Sequence, residues 1–469
     1  MAWRALPVPF RYQNEERTLS TPPEPEVLNN QSGPASCVAL AHGCPPTEQV
    51  RSRSGPDRVR SAIRVQKYGG SSLATADRIK AAAQRIDRVA AAGVPTVVVV
   101  SAMGDTTDEL IALACSVSPH PPDREMDMLL STGETVSATL MAMALHDLGR
   151  PAVSLSGGQA GIKSTSVFTR ARITEVQPDR IRAELKAGKV VIVTGFQGVT
   201  EEMDVTTLGR GGSDTTAVAL ACSLDAERCE IYTDVEGVYT ADPRIVPSAR
   251  KLAEIGYEEM LELAQLGAKV MHPRAVELGE LYDLPILVAH SGRDTPGTLI
   301  QRLTEGEGPM EIRKNVRGIA HDTDVARITL SGIPDRPGIA AAIFEPLAEA
   351  SLSVDTIAQS SGAAGTTDLS FTLSRAELAR ALEITRDVAH RLGAAAVDPA
   401  EDLAKVSIVG TGMQSAPGYA ARMFSTLARA GINIEIISTS DIRITCVVAR
   451  ESVHEAVRVL HDAFELDRN

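Results

Sequence analysis

The chain has 469 residues, room for about three domains at the usual ~150 residues each. Hydrophobic residues make up 43% and charged residues 23%, ordinary for a globular protein, but aromatics are only 3%, so Ala, Val, Leu and Ile must build the core. A net charge of −13 excludes general nucleic-acid binding, which needs a basic face, while leaving room for a local cationic pocket that takes anionic substrates.

No apolar run approaches the ~18 residues needed to span a membrane, and no continuous apolar signal segment is present. Six cysteines in so long a chain do not make a disulfide framework, and reduced thiols in a cytoplasmic protein are expected. Cys37, His42 and Cys44 lie close together but have no second ligand pair nearby, so metal binding is not expected there.

Residues 1–62 are rich in Pro, Ser, Arg, Glu and Asn and carry no helical or strand period. They are expected to be a disordered extension, or the product of a start codon placed too early. Order is expected from Ile63, where Ile63 to Lys67 reads as a strand entering a Gly-Gly-Ser-Ser turn, followed by a helix from about Thr75 to Ala92. Thr96 to Val100 is a β-branched run suited to a strand buried on both faces, and Lys189 to Thr194 repeats it. Glu230 to Thr233 and Pro285 to Ala289 are further short strands with helical stretches between. This alternation predicts an α/β domain with a largely parallel sheet sandwiched by helices, over residues 63–302. Thr304 to Pro309 marks a linker, taken as 303–322.

The remainder repeats with a period of 80 residues. Pro337-Gly338 matches Pro417-Gly418, Phe344 matches Phe424, Leu347-Ala348 matches Leu427-Ala428, and Asp355 matches Glu435. Each unit, 323–400 and 401–469, reads as strand, Pro-Gly turn, amphipathic helix, break and strand. One such unit exposes a sheet face, which pairing is expected to bury.

Three motifs carry chemistry. Lys67-Tyr68-Gly69-Gly70-Ser71-Ser72 follows the first strand; its glycines let backbone N–H groups approach a phosphate, and the lysine adds charge for a transferring phosphoryl group. It is neither a Walker A loop nor a G-x-G-x-x-G fingerprint. Gly209-Arg210-Gly211-Gly212-Ser213-Asp214 opens a helix read as Thr215 to Cys222. Ser213 or Asp214 would serve as its N-cap, and the glycines before a helix N-terminus also suit an anion, with Arg210 a fork for a carboxylate. Tyr232 to Arg244 is a strand end and a Gly- and Pro-punctuated loop rich in Asp, Tyr and Arg. It is either a long surface loop or a nucleotide contact beyond the strand ends.

These motifs, in this order and spacing, resemble the amino-acid kinase family, specifically the aspartate kinases, in wording most like actinobacterial members. The resemblance extends to Ser101 to Thr107, Ser131-Thr132-Gly133-Glu134, Gly195 to Gly198 and Gly267 to Pro273. It runs from about Ile63 to the C-terminus, where the repeats resemble paired ACT domains of ferredoxin-like βαββαβ form. The resemblance implies an ATP- and Mg²⁺-dependent kinase acting on the side-chain carboxylate of L-aspartate. Lys67 and the amides of Gly69 and Gly70 would hold the ATP phosphates, with Tyr68 also in the ATP site and Lys67 and Asp214 catalytic. Thr233, Asp234, Tyr239, Arg244, Lys269 and Val270 would hold the nucleotide. Ser101, Thr107, Glu134, Arg210 and Ser213 would hold aspartate, Glu134 facing the ammonium and Arg210 a carboxylate. Mg²⁺ would arrive on ATP, with no direct protein ligand.

Regulatory amino acids such as lysine or threonine would bind between the ACT domains, near Asp335, Gly338, Gln359, Asn433 and Glu435, in a homodimer or higher assembly. Several positions depart from the family's pattern: Ser360-Ser361 where Asn-Val is usual, Ala416 before Pro417-Gly418 where His is usual, and Val288-Ala289-His290 where Val-Arg-Ser/Asn is usual. Weakened or altered feedback is expected from these. The alternatives are a kinase for glutamate or N-acetylglutamate, and a catalytically silent amino-acid sensor.

Overall fold

The structure, a computed structural model, describes residues 60–268, 270–303, 316–361, 365–411, 413 and 417–468. The Cys37, His42 and Cys44 group, the Thr304–Pro309 segment, Lys269 and Ala416 lie outside the described residues.

The first part of the α/β domain comprises β1 (Ser61–Tyr68), α1 (Ala76–Ala91), β2 (Thr96–Val100), α2 (Thr106–Val117), α3 (Asp123–Asp147) and β3 (Ala152–Leu155). Then come β4 (Ile162–Ser164), β5 (Ile173–Val176), α4 (Asp179–Lys186), β6 (Val190–Thr194), β7 (Gln197–Val199), β8 (Val205–Thr207) and α5 (Gly212–Ser223). It closes with β9 (Ala226–Thr233), β10 (Glu254–Ile255), α6 (Tyr257–Gln265), α7 (Pro273–Leu281), β11 (Ile286–His290) and β12 (Thr298–Ile300). The first strand thus begins at Ser61, two residues before the expected onset of order, because Ser61 N–H donates to Asp225 O at 2.7 Å and extends the pairing with β9.

Eight strands form one sheet in the order β10-β12-β11-β9-β1-β2-β6-β3, parallel throughout except for β11 against β12. Every residue of β2 and β6 is buried, as their continuous β-branched runs require of strands covered on both faces. Each fully buried Val or Ile there contributes on the order of 1.5–3 kcal/mol. A second sheet, β5-β4-β7-β8, stands beside it. Between α1 and this small sheet lies α3, in contact with β3, β6 and β8. Among the described residues it is the one helix long and apolar enough to cross a membrane, but half of that stretch is buried in the protein, and it carries the buried carboxylates Asp127 and Glu134 inward. It is a core helix.

The C-terminal part runs β13 (Gly318–Pro334), α8 (Ile339–Glu349), β14 (Ile357–Ser361), β15 (Thr366–Leu373) and α9 (Leu378–Leu392). The second repeat follows as β16 (Ala396–Val409), α10 (Tyr419–Arg429), β17 (Ile436–Thr439), β18 (Arg443–Ala449) and α11 (Val453–Ala463). Gly338 (φ +92°) and Gly418 (φ +112°) occupy matching positions ahead of α8 and α10. The six strands form one antiparallel sheet, β14-β15-β13-β16-β18-β17. The repeats therefore meet edge to edge through β13 and β16, rather than by pairing sheet faces. The two long strands are shared: Gly318 to Val325 pairs with Leu403 to Val409, and Arg327 to Ser331 pairs with Ala396 to Ala400. Residues 318–322, expected within the linker, thus form a strand that completes the sheet of the second repeat.

Candidate active site

The loops leaving the C-terminal ends of β1, β2 and β6 converge, as open α/β sheets require of a ligand site. Alternation along β1 sends Lys67 to one face and Tyr68 to the other. Lys67 Nζ lies 2.6 Å from Asp214 Oδ1, an ion pair whose side chains are only 12% and 10% exposed. Asp214 Oδ2 accepts from the His272 N–H at 3.3 Å, so one carboxylate joins the end of β1 to the entry of α7.

Asp214 sits in the first turn of α5. The N-cap role open to Ser213 or Asp214 is not taken: the helix starts at Gly212, its cap is Gly211 at φ +72°, and no side chain caps it. A β-carbon on Gly211 would fall 2.3 Å from the His272 ring, so only glycine lets this turn close on α7. Similarly, Gly195 gives Ser213 its space, since a β-carbon there would meet Ser213 at 2.8 Å. Ser213, released from capping, is buried against the end of β6.

Glu134 arrives from α3. Its Oε1 accepts from the Ala102 N–H at 3.1 Å, next to Ser101, and its Oε2 is buried without a hydrogen-bond partner. Burial pushes this carboxyl up to about 7. A buried carboxylate with a spare oxygen has the chemistry of an ammonium receptor. Arg210 is the most exposed of the group at 91%, in a 3.3 Å pair with Asp108 on α2, the helix that also carries Thr107.

A cavity of about 590 Å³ opens at the end of β9. Its lining includes Thr233, Asp234, Tyr239, Arg244 and Val270 from the α/β domain. Its far wall is Ile319 to Thr323, the beginning of β13. Thr233 Oγ1 donates to Asp234 Oδ1 at 3.1 Å, while Arg244 is held by Asp242 at 2.7 Å. Burial raises the Tyr239 hydroxyl above its ordinary value.

Two of the expected ATP contacts are engaged elsewhere in this structure. The Tyr68 side chain is sealed in the core and stacked on Tyr232 at 5.0 Å, so it cannot face a nucleotide. The Gly69 N–H is already spent on Tyr232 O at 3.2 Å. In the regulatory half, Asp335 N–H donates to Gly365 O at 2.9 Å and Gln359 lies on the edge strand β14. Asn433 Nδ2 donates to Glu435 Oε1 at 3.3 Å, and Glu435 also pairs with Arg327 at 3.2 Å. The matching acid of the first repeat, Asp355, pairs with Lys405.

Residues that sequence reasoning missed are His272, Asp127 and Arg274. All three back the loop between β8 and α5. A buried Asp within a helix was the available signal for Asp127, since such a group must find partners.

The family model described as the amino acid kinase family matches residues 62–290, and that for the ACT domain matches 328–387 and 406–464. An aspartokinase of Mycolicibacterium smegmatis is 50% identical, over 86% of this chain and 96% of that protein. An aspartokinase of Thermus thermophilus is 48% identical, over 87% of this chain and all of its own length. The chain belongs to the aspartokinases. Solved aspartokinases share its architecture. E. coli aspartokinase III in complex with aspartate and ADP (R-state) is 27% identical and covers 86% of this chain and 99% of its own, with a TM-score of 0.71. The same enzyme in complex with lysine and aspartate (T-state) gives a TM-score of 0.67.

Proposed function

We propose that this aspartokinase transfers the γ-phosphoryl group of ATP to the side-chain carboxylate of L-aspartate, with Lys67 and Asp214 at the reacting centre. The observation that carries this reading is the Lys67–Asp214 ion pair, 2.6 Å long and largely withdrawn from water, at the C-terminal end of β1. A carboxylate oxygen attacks the γ-phosphorus, the bond to the β–γ bridging oxygen breaks, and ADP leaves with that electron pair. The products are 4-phospho-L-aspartate and ADP. The nucleophile is ionised at neutral pH, so no general base is needed and none is assigned.

Catalysis is then positioning and charge compensation. Lys67 offsets the repulsion between two anions, and Asp214 fixes the position of its ammonium. Glu134 takes the substrate ammonium, and Arg210 leaves Asp108 for the substrate α-carboxylate at little cost, since an exposed pair is worth about 0–1 kcal/mol. Gly70 holds a phosphate, and Tyr239, Arg244 and Val270 hold the nucleotide, with Lys269 as a further phosphate contact. Among the described residues no group of three or more His, Cys, Asp or Glu side chains exists to hold a cation alone. Mg²⁺ is assigned to the nucleotide phosphates, where it would supply charge neutralisation.

The test is a hydroxamate assay for acyl phosphate with ATP, Mg²⁺ and each of aspartate, glutamate and N-acetylglutamate. Signal with aspartate alone supports the reading; no signal from folded protein overturns it in favour of an amino-acid sensor. The paired ACT repeats support regulation by lysine or threonine in a homodimer or larger assembly. The Ser360-Ser361 departure supports weakened feedback, an idea that full inhibition by low concentrations of lysine plus threonine would sink.

A further inference from the structure

The segment that carries Arg210 has no helix or strand of its own beyond β8, yet it must hold a flexible, 91% exposed side chain at a fixed place. A buried carboxylate and a half-buried guanidinium grip it from two different helices. From α3, Asp127 is fully buried and spends both oxygens on this region. Its Oδ2 accepts from the N–H of Thr207 at 2.8 Å and of Thr169 at 2.9 Å, and its Oδ1 accepts from the Thr207 hydroxyl at 2.6 Å. From α7, the Arg274 guanidinium donates to Leu208 O at 2.9 Å and to Ala171 O at 3.1 Å. Thr207 O in turn accepts from the Ala171 N–H at 2.9 Å. Thr169 itself is held at φ +64°, a left-handed conformation that costs a branched residue energy and persists only where surroundings enforce it.

We infer that Asp127 and Arg274 are positioning residues for the substrate: they clamp residues 207–208 against residues 169–171 and so fix the base from which Arg210 reaches the substrate carboxylate. This rests on the reading of Arg210 given above. The helix supplies the geometric logic. Asp127 and Glu134 are two turns apart on the same inward face of α3, which separates their Cα atoms by roughly 10 Å. One end of that face receives the ammonium; the other sets the loop that receives a carboxylate. A single rigid helix thus fixes the spacing between the two recognition points. Asp127 touches no substrate on this account, and burial raises its carboxyl above the ordinary value without making it an acid or base in the reaction.

The experiment is steady-state kinetics on the full chain for Asp127→Ala, Asp127→Asn, Thr207→Val, Arg274→Ala and Arg210→Ala, plus the double variant Asp127→Ala with Arg210→Ala. Asp127→Ala is expected to raise KM for L-aspartate about tenfold and leave KM for MgATP within twofold. Asp127→Asn keeps both backbone bonds through its oxygen and is expected to restore most of the loss. Thr207→Val removes only the hydroxyl bond and should cost about threefold, which keeps the inference testable where Asp127→Ala does not fold. In the Arg210→Ala background, removing Asp127 should add less than twofold, because the clamp acts through Arg210. Equal losses for both substrates, or full additivity in the double variant, would show a general structural role and overturn the clamp. An unchanged aspartate KM in Arg210→Ala would instead defeat the reading of Arg210, and the clamp with it. A normal aspartate KM in folded Asp127→Ala and Arg274→Ala, with Arg210→Ala impaired, would defeat the clamp alone.

Discussion

Lys67 Nζ and Asp214 Oδ1 stand 2.6 Å apart although they come from opposite sides of a gap of more than a hundred residues, one at the end of β1 and the other in the first turn of α5. With both side chains largely withdrawn from water, the ammonium is held in one place before any phosphate arrives. Such preorganisation is worth far more than a surface pair, because the surroundings need not reorganise as charge moves.

Lys67→Ala and Asp214→Ala are therefore each expected to lower kcat by about 10²–10³-fold, the usual scale for removing one preorganised charge. The double variant should lose little more than the worse single, since the two act as a unit. Acyl-phosphate formation measures the loss, and circular dichroism checks that the fold persists. Variants as active as the parent would remove these residues from the centre.

Glu134 gives a pH prediction with a definite sign. Its carboxyl is pushed by burial from 4.5 up to about 7, so the free folded chain holds a proton there that the unfolded chain gives up. The resulting contribution to stability is full below pH 4.5 and is lost as pH rises through 7. Substrate has the opposite preference, because an ammonium favours the carboxylate. With roughly a tenth of Glu134 ionised at pH 6 and nine-tenths at pH 8, KM for aspartate should fall about ninefold across that interval. Glu134→Gln should flatten the profile and raise KM throughout. A profile that stays flat in the parent would mean the ammonium is received elsewhere.

The parts legible in the sequence share a local cause. Lys67 and the turn at Gly69-Gly70 stand out because a short alternating strand, Ile63 to Lys67, runs into two glycines and two serines. The 80-residue repeat is visible because the Pro-Gly turn and its helix recur whole at Gly338 and Gly418. What stayed hidden depends on partners far along the chain. Nothing near Tyr68 says that it stacks on Tyr232, and nothing near Gly69 says that its N–H is taken by Tyr232 O. Residues 318–322 looked like linker because their partner strand, Leu403 to Val409, lies about 80 residues on. The position of Ser213 inside α5 was missed for a related reason: Gly211 caps that helix because His272 occupies the space a side chain would need.

Glu259 joins the kinase part to the sheet of the repeats. On α6 and 1% exposed, it accepts from Thr411 N–H at 3.2 Å and Thr411 Oγ1 at 3.1 Å, and stands 3.5 Å from Arg317 Nε. Nearby, Arg443 of β18 pairs with Glu262 at 3.1 Å. Glu259→Ala strands Thr411 and Arg317 and is expected to destabilise by about 1–3 kcal/mol. Urea unfolding should show an earlier first transition, with the kinase part and the repeats coming apart before either melts. An unaltered midpoint would mean that this junction adds no stability.

His461 makes another junction, and it bears on the cavity at the end of β9. It is fully buried on α11, with Nε2 3.0 Å from Thr240 Oγ1. Arg250 N–H donates to that same oxygen at 2.9 Å, so Thr240 Oγ1 joins the loop to the helix. Burial lowers the pKa of His461 below its ordinary 6.5 and favours the neutral imidazole. Its contribution to stability is therefore present above pH 6.5 and lost as pH falls toward the lowered value. Thr240 lies between Tyr239 and Ala241, which line the cavity at the end of β9, and its carbonyl receives the Ile319 N–H at 2.8 Å, where β13 forms the far wall. A helix of the second repeat thus supports the loop and, through it, the wall strand. His461→Ala should raise KM for MgATP by roughly three- to tenfold while KM for aspartate stays within twofold, a difference of about 1 kcal/mol for one hydrogen bond. His461→Gln, which keeps a hydrogen-bonding group, should recover part of it. If both variants shift the two KM values together, the contact only holds the fold; if neither shifts MgATP, the cavity at the end of β9 is not where the nucleotide sits.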